Sequence, residues 1–245
     1  SLDATQLSEA KLSVLTGAQL ADLTATQLSF VTAGQIGTLS AAQMTALGDD
    51  VAGLPADAVA AVNLSGLTDA QLRALTGVQL AQVSGIQVAK LSGPQIMALG
   101  NDVSGLSAAA VGGLSAAQVD ALTGPQVQAL GNRVSGLSAA AVGSLDAVQV
   151  DALSAEQVGA LGARVSFLSA AAVQSLDATQ VDGLTPVQVG QLGALVSNLT
   201  PAAVGSLDAA QLAAVTIDYW GFLSNFSAAQ LAAITPAALA NITAA

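Results

Sequence analysis

The large apolar residues of this chain are spaced alternately five and three positions apart, and a Gln recurs at one fixed place between them. The stretch LSAAQVDALTGPQVQAL, Leu114 to Leu130, holds the pattern twice. Its unit is an octad, L-[S/T/D]-x-x-Q-[V/I/L]-x-x. A strand with one buried face needs apolar residues at even spacing, which the octad lacks. One continuous helix fails as well. Eight residues overshoot two turns by roughly 80°, so the apolar stripe would wind around the helix. The chain must therefore restart at every octad.

The restart signal is present. Ser, Thr or Asp followed three residues later by Gln is a capping box. The cap side chain accepts from the N–H of the third helical residue, and the Gln reaches back to the N–H of the cap. The Leu before the cap and the Val four positions after it form a hydrophobic staple. Pro94, Pro125, Pro186, Pro201 and Pro236 fall at first or second helical positions, where no helical hydrogen bond is lost. Each octad thus predicts a helix of about one and a half turns, too short to stand alone in water. The slot Gln is read as serving the orphan N–H groups of helix starts, in preference to a ligand-binding ladder.

A longer period overlies the octad. Leu106, Leu137, Leu168 and Leu199 begin near-identical text 31 residues apart, each unit being three octads and a heptad. The heptads LGNDVSG, LGNRVSG, LGARVSF and LGALVSN place Gly at a left-handed cap position. Val-Ser-x-Leu follows at 103–106, 134–137, 165–168 and 196–199. It reads either as an irregular turn or as a short strand. As a strand, stacked once per coil, it would form a parallel ladder. Helices stack about 8–10 Å apart and strands about 4.8 Å apart, so such a coil would curve with the ladder on its concave side. The expected fold is mainly α, a solenoid of short capped helices in 31-residue coils, with that strand ladder as the open alternative.

The array reads as a single unit in four blocks. Residues 1–66 are irregular, 67–105 hold four octads and a heptad, and 106–198 hold three 31-residue coils. Residues 199–245 hold the last coils, broken by an aromatic insertion at 216–226. Neither end carries a distinct polar cap. Solenoids need such caps, so the chain is read as part of a longer array or as a unit that stacks end to end.

Composition narrows the function. Apolar residues make up 53% but aromatics only 2%, so burial falls to Leu, Val, Ile and Ala in thin, regular layers. The net charge is −11, and Lys11, Arg73, Lys90, Arg133 and Arg164 are the only cations. No basic patch can be built from them, which argues against nucleic acid as a partner. No run of about 18 apolar residues exists, so no membrane span is expected. With no His or Cys, the usual zinc, thiol and His-based catalytic sites lose their ligands. No nucleotide-binding or nucleophile-elbow motif occurs. An enzyme is not expected.

Some residues retain chemical interest. Asp120, Asp151 and Asp182 share one repeat slot and are expected to line up as a column. With Asp49, Asp50 and Asp102 they are the candidates for calcium binding between coils, set against a simple solvated face. Calcium is the sole cofactor considered, and no EF-hand pattern supports it. Arg133 and Arg164 share a slot with Asp102 and Leu195 and are expected to be exposed. Tyr219, Trp220, Phe222 and Phe226 form the one aromatic cluster, either a plug for the irregular break or an interface anchor. Asn-x-Ser/Thr sequons occur at Asn63, Asn198, Asn225 and Asn241, and acquire meaning only on a eukaryotic secretory route.

The octads resemble repeat regions of very large secreted bacterial surface proteins of the adhesin kind, over nearly the whole chain. No functional residue is carried over by the likeness. The glycine–aspartate nonapeptides that often accompany such arrays are lacking, a departure that bears on calcium. The resemblance implies an extracellular structural or adhesive module of a surface protein or filament, working by coil stacking and self-association. The alternative is a scaffold holding a peptide or glycan on a concave face.

Overall fold

A computed structural model describes residues 6–7, 11–217 and 226–239. Among them the regular structure is entirely helical, in short α-helices and 3-10 helices. The chain is a mainly-α repeat solenoid. Contacts group it into two compact units, Ser1–Leu114 and Ser115–Ala245.

The octads fold as their caps dictate. The helix Ala116–Asp120 opens at Ser115, whose hydroxyl accepts from the Gln118 N–H while the Gln118 side chain accepts from the Ser115 N–H. The helix Ala147–Asp151 opens in the same way at Asp146. Pro94, Pro125, Pro186 and Pro201 sit at first or second helical positions. The staple residues form the core: Leu114, Val119, Leu122, Val127 and Leu130 are all buried.

Within each unit the elements stack in three columns. In the second unit, Ala116–Asp120, Ala139–Gly143, Gly162–Phe167, Pro186–Leu192, Ala209–Ile217 and Pro236–Leu239 pack successively on one another. A second column holds Gly124–Ala129, Ala147–Asp151, Ala170–Gln174 and Gly193–Asn198. A third holds Gly131–Gly136, Ala155–Ala160, Ala178–Asp182, Pro201–Gly205 and Ala228–Ala233. The first unit repeats the arrangement, for example Ala25–Leu28, Gly48–Gly53, Asp69–Ala74 and Gly93–Ala98 in one column. A turn of the solenoid is therefore three elements, not four. Cap Ser138 lies 23 residues after Ser115, and cap Ser92 lies 24 after Thr68.

The 31-residue period is thus a period of sequence and not of space. Four elements are spelled per repeat while three close a turn, so each repeat begins one column further round. The heptads Gly131–Gly136, Gly162–Phe167 and Gly193–Asn198 fall in three different columns. A once-per-coil ladder of heptads, the basis of the expected concave strand face, cannot form.

Nor are the heptads strands. Each is a 3-10 helix, entered through a Gly with φ near +55 to +60° (58° at Gly100, 59° at Gly131 and Gly162). The segment closes with the Leu106 N–H on the Val103 carbonyl at 3.0 Å, and Leu137 on Val134 likewise. A 3-10 helix rises about 2.0 Å per residue against 1.5 Å for an α-helix. Seven residues in this form span the side that eight cover as a capped α-helix, so both lengths fit one stack.

Turns approach most closely where side chains are missing. A Cβ on Gly105 would fall on the backbone of Gly77, and one on Gly53 on the backbone of Ala25. The same holds for Gly113 against Gly85.

Candidate functional site

The most repeated polar feature of the chain is the corner Gln, and where it is buried between turns both ends of its amide are used. Gln149 Oε1 accepts from the Asp146 N–H at 3.0 Å, closing the cap. Its Nε2 donates to the carbonyls of Val119 at 2.8 Å and Leu122 at 2.6 Å, in the turn before. Gln180 repeats this on Val150 and Leu153, and Gln211 on Val181 and Leu184. In the first unit Gln79 donates to Val51 and Leu54, and Gln87 to Val59 and Val62.

In each pair the earlier carbonyl already accepts a backbone N–H, as Val119 does from Leu122, and the last carbonyl, such as that of Leu122, has no partner within its helix. These corner Gln residues therefore cap the start of their own helix and the end of a helix or 3-10 segment one turn earlier. Capping is readable from the octad, but the second bond joins residues 27 and 30 apart, and no local motif announces it. The signal available was the choice of Gln: the carboxylate of Glu would close the same capping box but has no amide hydrogens to give. Buried Gln without full pairing would be costly. Gln149 is 2% exposed and Gln180 3%, which fits a fully used amide.

Some corners lack Gln. Ala110, Ala141, Ala172 and Ala203 hold the slot in the helices after the 3-10 segments Gly100–Gly105, Gly131–Gly136, Gly162–Phe167 and Gly193–Asn198, and all four are buried. There the cap hydroxyl alone serves the helix start, as Ser138 does for the Ala141 N–H.

The acidic candidates are not brought together. Asp120, Asp151 and Asp182 are exposed and lie on helices of three different columns, because the sequence period exceeds the spatial turn by one element. The expected column does not exist. Among the described residues no group of three acidic side chains is placed to hold a metal ion. Asp50 has a structural role, its Oδ1 accepting at 2.9 Å from the N–H of Ala25 at the first position of a helix one turn earlier. Asp102 is exposed and approaches Gly77, the matching helix start. Asp49 is exposed. Arg133 and Arg164, expected at the surface, are half-buried, and Arg164 leans back onto its own Leu161 carbonyl.

Of the aromatic cluster, Tyr219, Trp220 and Phe222 lie outside the described residues. Phe226 is buried directly before the cap Ser227, the place Leu takes in other octads. It serves as a staple residue in the core. Among the described residues no helix is long and apolar enough to cross a membrane.

A search of curated proteins finds no match to the chain. A family model described as the ALTTAQ repeat matches residues 100–132. The matched stretch covers slightly more than one sequence period, from the 3-10 segment Gly100–Gly105 to the first two residues of the segment Gly131–Gly136. This part of the chain is a repeat region of the kind that model describes.

Proposed function

We propose that the chain is a structural repeat module of an extracellular surface protein or filament, working by turn-on-turn stacking and self-association. The observation that carries this reading is the use of the corner Gln. The polar group repeated most faithfully along the chain is spent inside the fold, holding one turn to the next. A binding ladder would present such a group to solvent. The likeness of the octads to repeats of secreted surface proteins supports the extracellular setting. Few charged side chains and many small ones suit a surface that packs against copies of itself.

Sedimentation velocity across a concentration series tests the reading. Reversible growth in mass with concentration is the expected result. A strict monomer at the highest concentrations would overturn the self-association. Surface labelling of the producing cells tests the location, and protein confined to the cell interior would overturn it.

A further inference from the structure

In one motif two polar side chains have no part in the stacking. Asn63-Leu64-Ser65 falls where the first unit replaces a full octad side by the short 3-10 helix Leu64–Gly66. Asn63 is exposed and stands just before that helix. The Ser65 hydroxyl donates to Asn63 Oδ1 at 2.9 Å, which fixes the amide and leaves its Nδ2 with no hydrogen bond among the described residues. The backbone on both sides is pinned from the next turn. Gln87 Nε2 donates to the Val62 carbonyl, and Gln95 Nε2 to that of Ser65. Beside the amide lies an open depression of about 430 Å³, lined by Ala60, Ser65, Gln87 and Lys90 among others. That volume lies within the usual span of small-molecule sites, about 300–1,000 Å³.

The second described sequon gives an internal contrast. Asn198 is half-buried, and its Nδ2 is committed to the Leu195 carbonyl at 3.2 Å. Among the described residues, one motif thus presents an amide nitrogen with no hydrogen bond and the other an occupied one.

We propose that Asn63 is an N-glycan acceptor, with the first sugar seated over the depression beside Lys90. Asn63 Nδ2 forms a bond to the anomeric carbon of a diphosphate-activated sugar. The bond from that carbon to the diphosphate oxygen breaks, the diphosphate leaves on its nucleotide or lipid carrier, and the amide proton passes to a base of the transferase. Ser65 is the positioning residue. The inference rests on the extracellular reading above for its route of export, and on the Asn63 geometry for its site.

Site-resolved mass spectrometry of the full chain, secreted from a eukaryotic host, tests it. Asn63 carries glycan, and Asn198 carries roughly tenfold less or none. Ser65→Ala removes most of the Asn63 occupancy with the helical spectrum unchanged, while Ser65→Thr keeps it. An unmodified Asn63, or equal occupancy at Asn198, overturns the proposal. In material from the native source, a single hexose marks a nucleotide-linked donor and a preassembled oligosaccharide a lipid-linked one. A bare Asn63 there overturns the proposal as well. Sedimentation of the native chain, read beside its own mass spectrum, separates this inference from the proposed function. Self-association of a chain whose Asn63 is bare sinks only the inference, and glycan on a strict monomer sinks only the self-association.

Discussion

Gln180 donates its side-chain amide to the carbonyl of Leu153, 2.7 Å away and 27 residues earlier in the chain. The same side chain accepts at 2.9 Å from the N–H of its own cap, Asp177. One residue thus performs local capping and long-range stacking together, and the two roles can be separated by mutation.

Gln180→Leu removes the partner of the Asp177 N–H and of the Leu153 carbonyl, while the Val150 carbonyl keeps the backbone N–H of Leu153. Buried polar groups left unpaired cost about 1–3 kcal/mol each, so for these two groups a loss of about 2–6 kcal/mol is expected. Gln19 makes the cap bond at Thr16 but is exposed in the first described turns. Gln19→Leu should cost only about 0.5–1 kcal/mol, the worth of a cap. Urea melts of the two variants check the difference, and equal losses would refute the stacking role of the amide.

Gln180→Glu makes this corner sensitive to pH. The new carboxyl would be buried against two carbonyl oxygens, which raises its folded-state pKa above the unfolded value of about 4.3. Protonated, it donates one bond to a carbonyl; ionised, it repels both. Its contribution is full below about pH 4.3 and is lost as the pH rises through the raised folded-state value. Melting temperatures of variant and native chain should therefore diverge between pH 4 and pH 7. A constant gap would contradict the pairing described.

Inserting a second copy of the octad Leu145–Ala152 should leave a folded, cooperatively melting protein. Every octad ends in an equivalent corner, so an extra one rotates later elements by one column and keeps their stacking. The chain already contains both arrangements, with four octads before the heptad at Gly100 and three before that at Gly131. Inserting four residues at the same place would put caps over helix middles. Loss of helical signal and of the cooperative melt is expected there.

Gly105→Ala and Gly131→Ala test two different demands on glycine. At Gly131 the space is open, and the cost comes from a φ of 59° that an L-residue adopts with strain of about 1–2 kcal/mol. At Gly105 a Cβ would meet the Gly77 backbone, so two turns must separate. The second variant should melt lower than the first. The reverse order would place the burden on conformation instead of on approach.

Calcium and chelator should leave the melting temperature unchanged, since Asp120, Asp151 and Asp182 sit on separate columns. A rise of several degrees with calcium would show that the acids are reached by another arrangement.

The order of residues along the chain is enough to specify the elements. The cap at Asp146, the Gln at 149, the Val at 150 and the Leu at 145 are a few residues apart. Their interactions are local, so the helix start, its staple and its length follow from their order. The glycines opening the 3-10 segments were likewise readable, because a positive φ is a property of one residue. Tertiary structure alone decided how many elements close a turn. The four-element period suggested a four-element coil, and it misplaced the acidic column, the heptad ladder and the exposure of Arg164. Closure depends on how side lengths and corner angles add over three successive elements, and on the meeting of Gln amides with carbonyls 27 to 30 residues away. A repeated phrase fixes each corner equally well. It holds no count of corners per turn, because that count is set by packing between turns.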